Sequence, residues 1–392
     1  MGAVTAAGIG VTPLWQAASS GTTAVKTINE PGFEQSRVRI AAFAAGFDPT
    51  AFVTTEVGRT VDRFAVMAIA AADEALTQAG LRDETFGPNC AVVIGSGIGG
   101  AVTHDQQSQA FHVLKSRGDP MSIPKIMPSA AASQLSMRYG ATGPAFCVSS
   151  ACASSAQAIG IGAQMVRSGM VERAIVGGSE AMITPAAMRA WELLRVLTPT
   201  ANRPFSKGRD GMTLGEGAGV LMLEELDAAK ARGAPILAVI AGYGTTSDAN
   251  DLLKPDPQGS SRAMQLALAD AGIAPDEIGY VNAHGTGTVL NDQSETEAMQ
   301  IVFGNRLKDV PVSSTKPIHG HTIGAAGAIE MIVTVMALRE QLLPPTINWL
   351  ETDPKCDVDA VANVARPASF SAAMSNSFAF GGINASLVIR AV

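Results

Sequence analysis

Short apolar runs alternate with helical stretches along almost the whole of this chain, and that alternation leaves few ways to fold it. Cys90–Gly95, the run ending at Val148, Arg173–Gly177, Val220–Leu223, Ile236–Tyr243, Ile278–Asn282, Val310–Val312, Ala373–Phe378 and Ala385–Ile389 read as strands. Between them Val61–Gly80, Ser129–Arg138, Thr184–Leu197, Ser260–Ala271, Gln293–Phe303 and Gly324–Gln341 read as helices. Gly2–Pro13 reads as a strand and turn that starts almost at Met1, so a few upstream residues are expected. The polar helix Glu224–Arg232, closed by Gly233-Ala-Pro235, is the best boundary between an N-terminal half, 1–232, and a C-terminal half, 233–392. The expected class is α/β with buried sheets.

The totals narrow the function. A chain of 392 residues with 47% apolar and 16% charged residues can bury two cores or one large α/β unit. A net charge of −7 argues against broad nucleic-acid binding. Cys90, Cys147, Cys152 and Cys356 lack CxxC spacing and are too sparse for a disulfide scaffold, which suits a reducing cytosol. The N-terminus has no signal-peptide pattern, and the longest apolar run, around Ile323–Leu338, is too short and too marked by Glu330 to span a membrane.

Chemistry collects in a few places. Cys152 follows an apolar run and opens a helix of small residues, where free N–H groups and the helix dipole favour a thiolate. The same stretch also suits a buried thiol that packs as a small hydrophobe. Of only five histidines, His284 lies in Asn282-Ala-His-Gly-Thr-Gly-Thr288, directly after a strand. His319 and His321 lie with Lys316 just ahead of the long apolar helix. A zinc site from His319 and His321 lacks carboxylate or thiolate ligands at a recognisable spacing. The Gly-rich loop Ser96–Gly100 follows a strand but has no GxGxxG, so a dinucleotide phosphate site is not expected there.

Cys152 within VSSACASS, His284 within NAHGTGT, Lys316 and His321 within STKPIHGHTIGAAG, and the ending NSFAFGGINA together resemble the β-ketoacyl-[acyl-carrier-protein] synthases. More narrowly they resemble the elongating condensing enzymes with a Cys-His-His site. The resemblance covers essentially the whole chain, with the motifs in the family's order.

That resemblance implies a thiolase-like fold, two similar halves with mixed sheets layered between helices. It implies decarboxylative Claisen condensation, in which Cys152 holds the acyl chain and His284 and His321 hold the enolate oxygen. Backbone N–H groups of Cys152 and Phe380 would form the oxyanion hole, and the loop with Phe378 and Phe380 would gate the acyl pocket. Family members usually have Gly where Ala379 stands, so Ala would stiffen the gate if that position needs φ > 0. Lys316 is expected to pair with Glu295 and order the site, with Asp292 nearby. Thr286 and Thr288 would meet the carrier's phosphopantetheine arm, although turn-stabilising threonines explain them equally well.

Ile98, Ala187 and Trp191 match acyl-pocket positions, and a bulky Trp191 would shorten or reshape that pocket. Arg59 and Arg195 match carrier-docking positions; Lys207 is a looser candidate, and Thr60 stands where the family is often basic. Asn282, Glu330, Ser375 and Asn376 match the family's structural cation, monovalent or divalent, against an ordinary hydrogen-bonded Glu330. No catalytic cofactor is expected beyond the phosphopantetheine on the substrate carrier. The expected partners are acyl carrier protein, its acyl and malonyl thioesters, and a second subunit, identical or homologous, with no nucleic acid or membrane. A thiolase would want a second catalytic Cys late in the chain, which Cys356 in its polar stretch does not offer. An initiating synthase would have Asn in place of one His, and a chain-length-factor-like partner would lack the nucleophile. The short helix after Pro128 and the HGH spelling at His319 hint at a specialised polyene, polyketide or nodulation-type pathway.

Overall fold

The computed structural model describes residues 1–392. The first half builds a sheet from β1 (Gly2–Thr5), β2 (Cys90–Gly95), β3 (Ala145–Val148), β4 (Arg173–Glu180) and β5 (Gly217–Glu224). The second builds one from β6 (Val239–Ser247), β7 (Tyr280–Asn282), β8 (Pro311–Ser313), β9 (Ala372–Ala379) and β10 (Ile383–Arg390). Their spatial orders are β1-β5-β4-β2-β3 and β6-β10-β9-β7-β8, the same permutation of five strands, and each sheet adds a two-residue sixth strand at one edge, Gly8–Ile9 beside β1 and Asp359–Ala360 beside β8. The pairings agree too: β1–β5, β5–β4, β6–β10 and β10–β9 are antiparallel, and the rest are parallel. The halves are therefore internal repeats, a relation that the residues alone do not reveal.

Five helices complete the layers: α1 (Arg63–Gln78), α2 (Ser154–Arg167), α3 (Pro257–Ala271), α4 (Val289–Phe303) and α5 (Ala326–Glu340). α1 covers β1 and β5 from outside, and α3 covers β6 and β10. α2 and α5 pack against each other between the two sheets. This central placement explains why α5 has no polar face. Every residue from Ala326 to Val335 is buried, Glu330 and Thr334 included. The largest apolar cluster joins Ala156 and Ile159 of α2 to Ile329 and Ile332 of α5, so the halves share one core.

Helix ends follow local chemistry. The Asp62 side chain caps α1 by accepting from the Phe64 N–H at 3.2 Å, and Gly80 at φ 69° ends that stretch. Val11–Ser20 is a helix rather than a turn, because Val11, Leu14 and Ala18 recur at helical spacing and are buried. Ala101–His112 is also a helix, largely exposed and with little apolar periodicity to announce it. β4 runs three residues beyond its expected end, to Glu180, and β6 begins three residues later than its pattern suggests.

Packing two sheets onto two central helices demands close backbone approach. At Gly178 on β4, an added Cβ would stand 2.5 Å from the Ser155 Cβ, 2.6 Å from the Gly324 carbonyl oxygen and 2.9 Å from that of Gly95. Both carbonyls are backbone and cannot swing aside. Gly178→Ala is therefore expected to cost about 1–3 kcal/mol of stability by overpacking, read as a lower urea midpoint at unchanged m. An unchanged midpoint would show that the layers can part at no cost.

Candidate active site

The two central helices start in the same unusual way. A 3₁₀ turn, Ala151–Ala153, leads into α2, and a second, Ile323–Ala325, leads into α5. Each turn opens on a non-glycine residue with positive φ, Ala151 at 47° and Ile323 at 45°. Such positions cost roughly 1–3 kcal/mol and persist where their surroundings over-determine them. Superposing the repeats by these elbows puts Gly324 in the place of Cys152. One elbow presents a thiol, and the other presents the loop that carries His321.

The elbows bring Cys152, His284 and His321 together. The Cys152 Sγ lies 3.1 Å from His321 Nε2, and the sulfur and one ring nitrogen of each histidine lie within 4.8 Å of one another. The imidazoles of His284 and His321 meet edge to face, 5.4 Å between centroids, and the Phe378 ring packs 6.1 Å from His284. All three polar residues are buried. The Nδ1 atoms of both histidines have no hydrogen-bond partner.

Burial sets the protonation states. It pushes both imidazole pKa values well below the ordinary range, and the nearby Lys316 ammonium pushes the same way, so both rings are neutral near pH 7. Burial pushes the Cys152 thiol up to about 12, outweighing the neighbouring Lys316 charge. The thiolate expected from the helix N-terminus is therefore not the resting form. Here the loss of water around the sulfur exceeds what dipole and cation return. The thiol faces a neutral imidazole nitrogen able to take its proton.

Supporting contacts differ from expectation at one pair. Lys316 does not pair with Glu295; its Nζ makes an ion pair and hydrogen bond with Glu330 on α5, and both side chains are fully buried. Glu295 instead accepts from the backbone N–H of His284 at 2.8 Å and of Gly285 at 2.7 Å. It fixes the turn that carries His284, and these donors compensate its burial without a cation. Asp292 does the same one turn away, accepting from the Gly287 and Phe205 N–H groups at 3.1 and 2.8 Å with Arg209 3.6 Å off.

A fourth carboxylate went unrecognised in the sequence. Glu180, at the end of β4, accepts from the N–H groups of Gly97, Ile98 and Gly324 at 2.6, 3.2 and 3.0 Å, and from Ser96 Oγ at 3.2 Å. It ties the Ser96–Gly100 loop to the second elbow. The available signal was a charged residue closing an otherwise apolar strand.

A cavity of ≈ 350 Å³ opens onto Cys152, His284 and His321, with Thr286, Thr288, Trp191, Arg195, Phe378 and Phe380 also in its wall. The Thr286 and Thr288 hydroxyls hydrogen-bond each other at 2.9 Å while facing it. Trp191 stacks on Phe380, 6.0 Å between centroids and 22° between planes. Ala379 closes β9 in register with Ile383 and is not among the positive-φ residues; those are Gly381 at 83° and Gly382 at 68°. The condition under which Ala379 would stiffen the loop is absent in this conformation.

Ile98 and Ala187 do not line the cavity. Ile98 is 45% exposed, its backbone held by Glu180, and Ala187 packs on the apolar cluster that contains Cys152. Arg59 is exposed at the end of the short helix Thr55–Gly58, and Lys207 is in an exposed ion pair with Glu351 at 3.1 Å. His319 spends both ring nitrogens on Thr315 and the Gly320 carbonyl, so it has none left for a metal. Cys356 is buried in a separate core cluster away from this cavity. Near Glu330, the Asn282 Oδ1 and Glu330 Oε2 atoms are buried without a partner, which suits oxygen ligands of a hard cation. Asn376 uses its Oδ1 on Ser386, and Ser375 stands beside Asn282 in the sheet register.

The protonation states predict the thiol's behaviour. With its pKa raised, the thiolate stays a minority species, so Cys152 alkylation by iodoacetamide should climb about tenfold per pH unit from about pH 7 to about pH 9 without levelling. Cys152→Ala supplies the blank for the other thiols. A plateau near neutrality would mean that the dipole and Lys316 outweigh burial.

Comparison with known proteins agrees with this geometry. The family model for the β-ketoacyl synthase N-terminal domain matches residues 1–229, and that for the C-terminal domain matches residues 237–350. Nodulation protein E from Rhizobium sp. (strain N33) is 45% identical over 85% of this chain and 83% of its own length. The 3-oxoacyl-[acyl-carrier-protein] synthase 2 of Staphylococcus aureus is 40% identical over 100% of this chain and 99% of its own. The solved structure of the ishigamide ketosynthase/chain length factor superposes with a TM-score of 0.93 at 32% identity, covering 100% of this chain and 97% of that one. The chain belongs to the β-ketoacyl synthase family, the acyl-transferring condensing enzymes.

Proposed function

We propose that this enzyme is a 3-oxoacyl-[acyl-carrier-protein] synthase that joins an acyl chain held on Cys152 to a malonyl unit held on a carrier. The observation that carries the reading is the convergence of one thiol and two neutral imidazoles at the floor of a single cavity. In the first step the Cys152 proton passes to His321 Nε2 and the sulfur attacks the acyl thioester. The carrier's thiolate leaves and takes that proton back. In the second step the malonyl C–CO₂ bond breaks, CO₂ departs, and the electron pair moves onto the thioester oxygen. N–H groups of His284 and of His321, the latter as its Nε2–H tautomer once Cys152 is acylated and gives up no proton, hold that enolate. Its carbon then attacks the acyl-Cys152 carbonyl, and the Cys152 thiolate leaves and takes up one proton from solvent, the proton that the decarboxylation consumes. Backbone N–H groups of Cys152 and Phe380 are assigned to the oxyanion in both transfers.

Around this chemistry, Lys316 is assigned to hold the imidazoles neutral and Glu330 in place, and Glu295, Asp292 and Glu180 to position the three loops. Thr286 and Thr288 are assigned to the phosphopantetheine arm, Trp191 and Phe380 to the acyl pocket and its gate, and Arg195 with Arg59 to the carrier. The likeness to nodulation protein E and to the ishigamide ketosynthase/chain length factor supports a specialised acyl pathway over a housekeeping one. A second subunit of the same fold fits the free edge of β3, where Phe146 is exposed. Four unpaired cysteines support a cytoplasmic location; no helix is long and apolar enough to cross a membrane. A chain-length-factor role has less support, since such a partner has no use for Cys152 and both histidines.

The test is intact-mass analysis with acyl carriers of varied length, followed by malonyl carrier. Acylation should vanish in Cys152→Ala, and malonyl carrier should discharge it as a 3-oxoacyl product. His284→Ala and His321→Ala should each slow condensation by about 10²–10³, the effect of losing one oxyanion donor, while some acyl-enzyme still forms. Acylation at another residue would sink the assignment.

We also infer that Asn282 and Glu330, with Ser375 and Asn376 beside them, hold a structural cation that satisfies their two orphaned oxygens. Its chemistry is structural: it would offset buried negative charge beside Lys316. Protein dialysed into choline chloride should melt several degrees higher once potassium or magnesium is returned, and Glu330→Gln should abolish that gain. An equal melting temperature in all three salts would leave an ordinary buried Lys316–Glu330 pair.

A further inference from the structure

His319 does not line the Cys152 cavity, yet it is fully buried two residues from His321. It ends the short helix Lys316–His319, and both of its ring nitrogens are engaged. Nδ1 lies 2.8 Å from the Gly320 carbonyl oxygen, and Nε2 lies 2.9 Å from Thr315 Oγ1. A carbonyl oxygen only accepts, so Nδ1 carries the proton, and the Thr315 hydroxyl donates to the bare Nε2. Burial holds the His319 pKa down at about 3, so the ring stays neutral at any pH near 7.

The Nδ1 bond falls on the peptide unit that delivers His321. Gly320 has φ 73° and ψ 166°, and an added Cβ there would stand 2.7 Å from the Gly215 Cα and 2.8 Å from the Leu214 carbonyl oxygen. Only glycine fits, and glycine leaves the following peptide free to rotate, which would swing the His321 ring. Three hydrogen bonds oppose that rotation. The His321 N–H donates to the Thr213 carbonyl at 2.7 Å, and the Gly215 N–H donates to the His321 carbonyl at 2.9 Å. Those two are backbone to backbone. The third, on the Gly320 carbonyl, depends on the side chain of His319.

We propose that His319 is a positioning residue for His321: its Nδ1–H fixes the Gly320–His321 peptide and so aims His321 Nε2 at the Cys152 sulfur, 3.1 Å away. The inference rests on the condensing-enzyme reading, in which that nitrogen takes the thiol proton and later helps hold the enolate, and it adds the residue that aims it. The two nitrogens of His319 then have separable roles, and amide side chains can separate them. His319→Asn sets an N–H close to the place of Nδ1–H. His319→Gln, one methylene longer, reaches toward Thr315 and leaves the Gly320 carbonyl bare. His319→Leu fills the space and bonds to neither.

The experiment measures Cys152 acylation by an acyl-pantetheine thioester, condensation with malonyl carrier, Cys152 alkylation by iodoacetamide, and the melting temperature of each variant. His319→Leu and His319→Gln should each lower the saturating acylation and condensation rates by up to about 10² at unchanged thioester KM, the effect of misplacing a catalytic group by about 1 Å. His319→Asn should restore most of both rates. In a His321→Ala background His319→Leu should lower them no further, because the two residues act as one unit. Rates that follow melting temperature, with His319→Asn no better than His319→Gln, overturn the proposal and leave His319 a core hydrogen-bonder. A raised KM at an unchanged saturating rate, or a further loss in the His321→Ala background, overturns it as well. Alkylation needs no thioester, and it should slow about tenfold in His319→Leu and His319→Gln but not in His319→Asn. If no thioester acylates the wild type, the condensing-enzyme reading fails by itself. The alkylation series then still decides about His319: the same order of variants upholds its role, and equal rates end it.

Discussion

The close packing of α2 against α5 between two sheets is the constraint on which the rest depends. A helix face packed between sheets leaves no room for long polar side chains, so the buried side of α2 is mostly Ala, Ser and Gly, with Gln164 and Arg167 on its exposed side, and α5 buries every residue over its first ten positions. The same packing forces the chain to enter each helix through a tight turn with positive φ, at Ala151 and at Ile323. That turn lifts the Cys152 sulfur out of the helix and brings the loop carrying His321 to within 3.1 Å of it. The strain at the elbows is thus offset by the burial of the helices behind them, and the reactive geometry follows from the layer architecture.

A site placed at the centre of five layers is dry, and dryness decides its chemistry. Burial holds His284 and His321 neutral and the Cys152 thiol protonated, so the resting site carries little charge where the enolate later forms. Three buried carboxylates near it have their pKa values raised to about 7 by burial: Glu180, Glu295 and Glu330. Glu180 and Glu295 are held by backbone N–H groups, and each immobilises a loop that bears on the site. Only Glu330 has a formal cation, Lys316. Removing one partner of such a buried pair typically costs 3–5 kcal/mol, because the other charge is left stranded. This network ties the loops that bear on the site to one another, the fixed placement that preorganised donors need.

Much of the site could be read from the sequence because its motifs lie on short loops at the ends of apolar strands. Cys152, His284 and His321 meet as those motifs imply, and Thr286, Thr288, Trp191, Arg195, Phe378 and Phe380 share their cavity. Contacts that depend on depth were harder. The resemblance paired Lys316 with Glu295, and only the three-dimensional path of α5 brings Glu330 to it instead. Ile98 lies outside that cavity, and what ties it to the site is its backbone N–H, held by Glu180. The repeat was invisible for a related reason: it resides in strand order and pairing direction, which survive when the side chains have diverged.

The repeat also explains why one elbow is reactive and the other is not. At Gly324 an added Cβ would stand 2.6 Å from a Glu180 carboxylate oxygen, and the Gly324 N–H donates to that same oxygen at 3.0 Å. The second elbow therefore cannot bear a nucleophile, since the place of its side chain is taken by the carboxylate that fixes it. At Cys152 no such carboxylate intrudes, and the space is filled by the His321 ring from the other half. Each half thus completes what the other lacks: the first gives a thiol and the carboxylate that locks the second elbow, and the second gives both imidazoles. Neither half holds a working site alone, so the shared core between α2 and α5 is as much a requirement of the chemistry as of the fold.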